Sequence, residues 1–398
     1  MFQLLLVIIY LAFISLGLPD ALLGSAWPSM YRELGASVSY AGIISMIIAG
    51  GTIISSLFSD RLIRAFGTGK VTVISVAMTA AALFGFSSSH SFIQLCLWAI
   101  PYGLGAGSVD AGLNNFVALH YKSRHMSWLH CFWGIGATAG PYIMGLCLTR
   151  GFKWNSGYMV VGVIQIALVA CLVLSLPLWR VRTEGSSGQD DTHKQITLRE
   201  GLRLPGAKAV LTAFFCYCAL EATAGLWASS YMVLHKGIAP QTAAKWASFF
   251  YLGITLGRLV SGFVTDRAGD RNMVRCGQLT AFAGTVLLFL PAGDGAVLAG
   301  LIMVGLGCAP IYPSLLHETP DNFGAQYSQS MMGMQMACAY VGSTFMPPLF
   351  GVVAERISVT LYPVCLVVFV VLMIGMTERM GRVQDGKVNG LTHAQLLQ

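Results

Sequence analysis

Charge is what this chain has least of. Asp, Glu, Lys and Arg make up 10% of its 398 residues, where a soluble domain carries about a quarter, and the mean hydropathy is +0.68. That scarcity excludes an ordinary soluble domain. Catalytic patterns are also lacking: there is no H-E-x-x-H, no G-x-S-x-G and no P-loop, so the residues offer no constellation for an enzyme and no catalytic residue is expected. The ten cysteines lie in or beside apolar runs without paired or metal-like spacing. They read as small apolar residues, and neither a metal site nor a cofactor is expected. The ten-residue alternation of an outer-membrane barrel is missing. So are a basic leader and a small-residue cleavage site at the N-terminus, which makes the first apolar run a retained helix.

Long apolar runs are present instead. Spans of about 20 residues fall at 4–31, 39–59, 70–88, 92–120, 126–149, 157–179, 210–233, 242–263, 273–291, 296–316, 326–353 and 357–377. The expected fold is therefore an all-α membrane protein of twelve transmembrane helices. The net charge of +7 comes from short basic clusters between apolar runs, a topology signal rather than a nucleic-acid surface. Arg61, Arg64, Lys70, Lys122 and Arg124, with Arg267, Arg271, Arg275, Arg379 and Arg382 later on, fall on one side. The positive-inside rule then puts both termini in the cytoplasm and the chain in the inner membrane. One long polar stretch, with "TEGSSGQDDTHKQ" inside it, separates two six-helix halves. The expected division is a first half over 1–180, a cytoplasmic linker over 181–209, a second half over 210–378 and a cytoplasmic tail over 379–398.

The halves repeat each other. Asp60-Arg61 matches Asp266-Arg267, and Gly136, Pro141 and Gly145 match Gly342, Pro347 and Gly351, both at a displacement of 206. "DALLG" from Asp20 and "EATAG" from Glu221 occupy equivalent places in the first and seventh spans. Two related halves around a midplane site are a common way to build a transporter. "SSLFSDRLIRAFGTGK" and "LVSGFVTDRAGDR" resemble the loop signature of the major facilitator superfamily. "GLPDALLGSAWP", "GLGAGSVDAGLNNF", "LHCFWGIGATAGP" and "GLGCAPIYPSLLHETP" look like its fucose-permease-like sugar:proton symporters. The resemblance implies that one carboxylate in the first helix and one in the fourth carry transport, and Asp20 and Asp110 match those places.

Three carboxylates, Asp20, Asp110 and Glu221, lie deep in predicted spans. Each costs on the order of 2.5–3.5 kcal/mol on insertion scales, which makes proton and solute binding the reading of all three. Pro19 disturbs the hydrogen-bond ladder beside Asp20, and Trp27 lies on the same face seven residues on. In the fourth span Gly103, Gly107, Asp110 and Asn114 form one stripe, with Asn115 adjacent. His130 and Trp133 share a face of the fifth. In the second half Tyr217, Glu221 and Trp227 parallel the first span, Tyr312 stands at the place of Asp110, and Gln335 offers an amide in the eleventh. Together these make a polar and aromatic lining suited to a carbohydrate. Asp60, Arg61, Asp266 and Arg267 read as cytoplasmic gate residues, with Arg258 inside the cytoplasmic third of its span as a further gating group.

The expected function is proton-coupled uptake of a sugar or sugar-like polyol by alternating access, carried out by a monomer in the lipid bilayer without nucleic acid. "GIGATAGPYIMG" also resembles the glycine-proline signature of superfamily antiporters, so proton-driven efflux of small amphipathic compounds is an alternative. Sodium-coupled sugar symport is another.

Overall fold

The computed structural model describes residues 2–20, 22–36, 40–185, 196–238, 240–291 and 293–395. Its long helices follow the expected spans. They are α1 (Phe2–Asp20) with α2 (Leu22–Met30), α3 (Tyr40–Phe66), α4 (Thr68–Ser87), α5 (Phe92–His120), α6 (Ser123–Thr149) and α7 (Trp154–Gly185). After the four-residue α8 (Leu198–Gly201) come α9 (Ala207–Leu234), α10 (Pro240–Ala268), α11 (Asp270–Phe289) and α12 (Asp294–His317). A short α13 (Thr319–Phe323) precedes α14 (Ala325–Val353) and α15 (Tyr362–Gln395). Among the described residues ten segments are long and apolar enough to cross a membrane, and the last of them, Ala325–Gly386, contains both α14 and α15. With α11, which is more polar, these account for twelve spanning helices.

The chain forms two compact units. Unit 1 comprises Met1–His120 and Trp128–Gln195, and unit 2 comprises Tyr121–Ser127 and Ile196–Gln398. Much of the expected linker, residues 186–195, lies outside the described residues. Its end carries a capping box, in which Thr197 accepts from the Glu200 backbone and Glu200 accepts in return, and this starts α8. Of the expected tail, residues 379–395 continue α15 as a helix. Arg275 binds Glu378 at 2.6 Å and Arg271 binds Asp385 at 2.9 Å, which fastens this extension to α11.

Inside each unit the helices cross at glycines. A Cβ on Gly103 would stand 2.2 Å from the Ile48 carbonyl oxygen, and one on Gly305 would stand 2.2 Å from that of Phe250. Only a residue without a side chain allows those backbones to meet. The two crossings are related by a displacement of 202, as are Gly67 and Gly269, which open α4 and α11 with φ near +78°. The displacement of 206 between Asp60 and Asp266 therefore differs from the packing register by one helical turn. The Asp-Arg dipeptides and the glycine crossings thus follow two registers. Between α6 and α1 the crossing is Gly136 against Ile14 and Leu18, and between α14 and α9 it is Gly342 against Phe215 and Ala219. That register is 201 along α1 and α9, the separation of Asp20 from Glu221.

Pro19 leaves the Ser15 carbonyl without its helical donor. Gln165 of α7 supplies one, donating through Nε2 to the Ser15 carbonyl at 2.5 Å while its Oε1 accepts from the Ser15 hydroxyl. On the connection after α2, the indole N–H of Trp154 and the ammonium of Lys153 hold the Glu33 carboxyl below the usual range. Gly136→Leu is expected to push α1 and α6 apart at a cost of about 1–3 kcal/mol. Gly145→Leu in the same helix, with open space around its Cβ position, should be near neutral. Thermal unfolding of the purified variants checks this, and equal midpoints would refute the close-crossing account.

Candidate functional site

In unit 1 Asp20 ends α1 and lies exposed at the surface of the unit. Trp133 of α6 donates its indole N–H to Asp20 Oδ2 at 2.9 Å, and Tyr102 of α5 donates its hydroxyl to Oδ1 at 3.4 Å. Three helices thus converge on one acid through neutral donors. Nearby, Asn114 donates from Nδ2 to both the carbonyl and the Oδ1 of Asp110, each at 2.9 Å. Its Oδ1 then faces His130 Nε2 at 3.1 Å. Because the amide nitrogen is committed to Asp110, its oxygen must accept, and His130 carries the proton on Nε2. The imidazole is further set by Phe13, edge-on at 5.5 Å. A chain of donors therefore runs from His130 through Asn114 to Asp110. Asn115 is buried, and its side-chain oxygen has no hydrogen-bond partner among the described residues.

Trp27, expected beside Asp20, is 5% exposed and packs in the apolar core with Leu18, Leu22, Trp154 and Tyr158. The indole that meets Asp20 is Trp133. Tyr102 was missed by sequence reasoning, although it directly precedes Gly103 and so lies beside the α3 crossing where a side chain is steered inward.

In unit 2 Glu221, related to Asp20 by the crossing register, meets a cation instead. Arg258 of α10 lies 3.5 Å from Glu221 Oε2 and donates to the Tyr217 hydroxyl at 3.3 Å. Arg258 is 5% exposed. Tyr312, at the place of Asp110, packs its ring 5.3 Å from that of Tyr217 and donates its hydroxyl to the Met336 sulfur. Arg258, expected as a gating group, is thus a buried neighbour of Glu221. Trp227 is six residues after Glu221 and falls on another face of α9. Its indole donates to the Pro347 carbonyl at 2.9 Å and packs on Phe350. Gln335 is fully buried, and its oxygen accepts from Thr319 at 3.0 Å.

The expected gate residues lie at helix ends. Asp60 pairs with Arg64 at 2.9 Å, and Arg61 lies over the Phe58 ring. Asp266 pairs with Arg124 at 3.5 Å, while Arg267 is exposed. Arg124 belongs to the segment Tyr121–Ser127, which groups with unit 2. There Ser123 donates to Asp270, and His317 bridges Asp270 and the Tyr121 carbonyl.

The family model described as Major Facilitator Superfamily matches residues 9–238 and 209–383. The chain is 19% identical to the glucose/mannose transporter of Bacillus subtilis, with 94% of each chain covered. It is 22% identical to the cis,cis-muconate transport protein of Acinetobacter baylyi, over 84% of this chain and 85% of that one. Among solved structures it matches FucP in the outward conformation with a TM-score of 0.75, 16% identity, and coverage of 93% of this chain and 98% of FucP.

Arg258→Leu leaves Glu221 without its cation and is expected to destabilise unit 2 by about 1–3 kcal/mol. The double variant Arg258→Leu/Glu221→Leu should recover most of that loss, because both charges then leave together. Thermal melts of the two variants decide the point, and additive losses would show that the two groups do not interact.

Proposed function

Because this chain belongs to the Major Facilitator Superfamily, and is a multi-pass membrane transporter rather than an enzyme, we propose that it carries a sugar or sugar-like polyol inward with protons. The observation that carries this reading is the convergence of Trp133 and Tyr102 on Asp20, beside the Asp110–Asn114–His130 chain. Carboxylate oxygens accept from sugar hydroxyls, amides both donate and accept, and an indole offers a flat apolar face for the C–H side of a pyranose. Two of the similar proteins, the Bacillus subtilis glucose/mannose transporter and FucP, the fucose:proton symporter of E. coli, are named for sugars, which supports the substrate class.

Transport works by alternating access. Asp20 and Asp110 are the proton-coupling groups, with Glu221 third. A proton from the outer side neutralises a carboxylate, the solute's hydroxyls take over the hydrogen bonds of the site, and both are released inward. Within unit 1, Asn114, Asn115, His130 and Trp133 hold the solute. Asp60–Arg64 and Asp266–Arg124, with Arg61 and Arg267 beside them, break and re-form as the access side changes. The protein works as a monomer in the inner membrane, with its two six-helix halves joined by the cytoplasmic linker and both termini in the cytoplasm.

Proteoliposome uptake under an imposed inward proton gradient tests this. A gradient of one pH unit drives about tenfold accumulation for one proton, and wild type should concentrate one sugar accordingly. Asp110→Asn should only equilibrate that sugar while still exchanging it across the membrane. Movement of an amphipathic cation in exchange for protons, with no sugar moving, would replace this reading by efflux.

A further inference from the structure

Arg258 carries more than packing requires. At the crossing register of 202 its counterpart in unit 1 is Ser56, whose hydroxyl donates to the Gly107 carbonyl at 3.2 Å. One turn earlier, at the displacement of 206, the counterpart is Thr52, whose hydroxyl is 3.2 Å from the Gly103 carbonyl. On either register a small hydroxyl completes the same helix crossing. A guanidinium in its place is an added buried charge, and a buried ion pair is a poor stabiliser compared with apolar residues of similar volume. A neutral polyol has no need of it either, since the donors to Asp20 in unit 1 are an indole and a phenol. What a planar guanidinium matches is a carboxylate, through two parallel N–H donors.

The pairing in unit 2 is loose enough to be exchanged. The 3.5 Å separation between Arg258 Nη2 and Glu221 Oε2 exceeds the roughly 2.7–2.9 Å of a tight charge-assisted hydrogen bond. The Glu221 side chain is 22% exposed and that of Arg258 only 6%, so water reaches the acid more readily than the cation. The titratable groups around the pair are Tyr217 on α9, Tyr251 on α10, and Cys308 and Tyr312 on α12. From α14 the contact to this cluster is the Met336 sulfur at Tyr312.

We propose that Arg258 binds a carboxylate of the transported solute, which takes the place of Glu221 once Glu221 is protonated, so that the solute is a sugar acid. This rests on the reading of the protein as a proton-coupled sugar transporter and narrows its substrate to polyhydroxylated monocarboxylates. The proton enters on Glu221 as the anion binds Arg258. When the anion leaves inward, the proton follows and the Glu221–Arg258 pair re-forms.

The test uses the purified full chain, with gluconate, glucuronate and galacturonate set against glucose, galactose and fucose. Thermal shift measures binding at pH 5.5 and 7.5, and proteoliposome uptake measures transport. A sugar acid should bind wild type several-fold tighter at pH 5.5 than at 7.5. Arg258→Lys, which keeps the charge but not the fork, should weaken that binding roughly tenfold, the loss of about one contact. Glu221→Gln removes the competitor, so it should bind the acid tightly at both pH values, and where that variant is unstable alone the sugar acid should restore its melting temperature. Transport of neutral sugars with no binding of the acids overturns the proposal and leaves the sugar-transport reading standing. Acid binding that is insensitive to both Arg258→Lys and Glu221→Gln overturns it as well. Failure of both classes to bind or move removes both readings together.

Discussion

The polar groups of these helices have to find their partners inside the protein, because the bilayer offers no water to satisfy them. Much of each unit follows from that constraint. The Ser15 carbonyl, left bare by Pro19, is met by Gln165, and the Pro347 carbonyl is met by the Trp227 indole. Tyr231 and Tyr362 turn their hydroxyls to the carbonyls of Leu288 and Ala224. In each case a side chain from one helix supplies the donor that a neighbouring backbone group accepts, and the two helices are tied together as a result. Asp20, Asp110, Glu221 and Arg258 answer to the same rule in a different way. Their partners are other side chains, and a proton can change every one of those pairings.

The number and length of the spanning helices were legible in the sequence because the bilayer imposes them through length and apolarity alone. The α5 boundaries fall where the apolar run begins and ends, and even the polar α11 is found by continuity of that pattern. The extension of α15 was not legible. Its sequence turns polar after residue 378, and what keeps it helical is the pair of ion pairs to Arg271 and Arg275 on α11, a tertiary contact that periodicity does not record. The one-turn slip between Asp60 and Asp266 was hidden for a related reason. Matching dipeptides align by identity, whereas the helices align by the glycines that let their backbones touch.

At the candidate site the carboxylates were legible and their donors less so. An acid in an apolar run announces itself by its insertion cost. A tryptophan does not, since the same ring serves as core or as donor. Trp27 went to the core and Trp133 to Asp20, and only the direction of each helix face after folding separates the two. Arg258 was visible as a charge inside the cytoplasmic third of its span, but the sequence did not say which group it meets. Its actual neighbour, Glu221, lies on a helix 37 positions earlier in the chain.

The two units keep one scaffold and diverge in chemistry, and the physical reason lies in what each position must do. Gly103 with Gly305, and Gly136 with Gly342, face carbonyl oxygens close to 2.2–2.4 Å from where a Cβ would be, so a change at any of them moves a backbone. The side chains around these glycines differ between the two units. There Asp110 corresponds to Tyr312, Ser56 to Arg258, and Asp20, held by neutral donors, to Glu221, held by a phenol and a cation. A duplicated scaffold can therefore hold two differently charged sites without altering a helix. Unit 1 offers acceptors and neutral donors suited to hydroxyl groups, and unit 2 offers a guanidinium whose partner is itself an acid. Arg258 departs furthest from its counterpart in charge and size, which is why the proposed binding of a solute carboxylate falls on it.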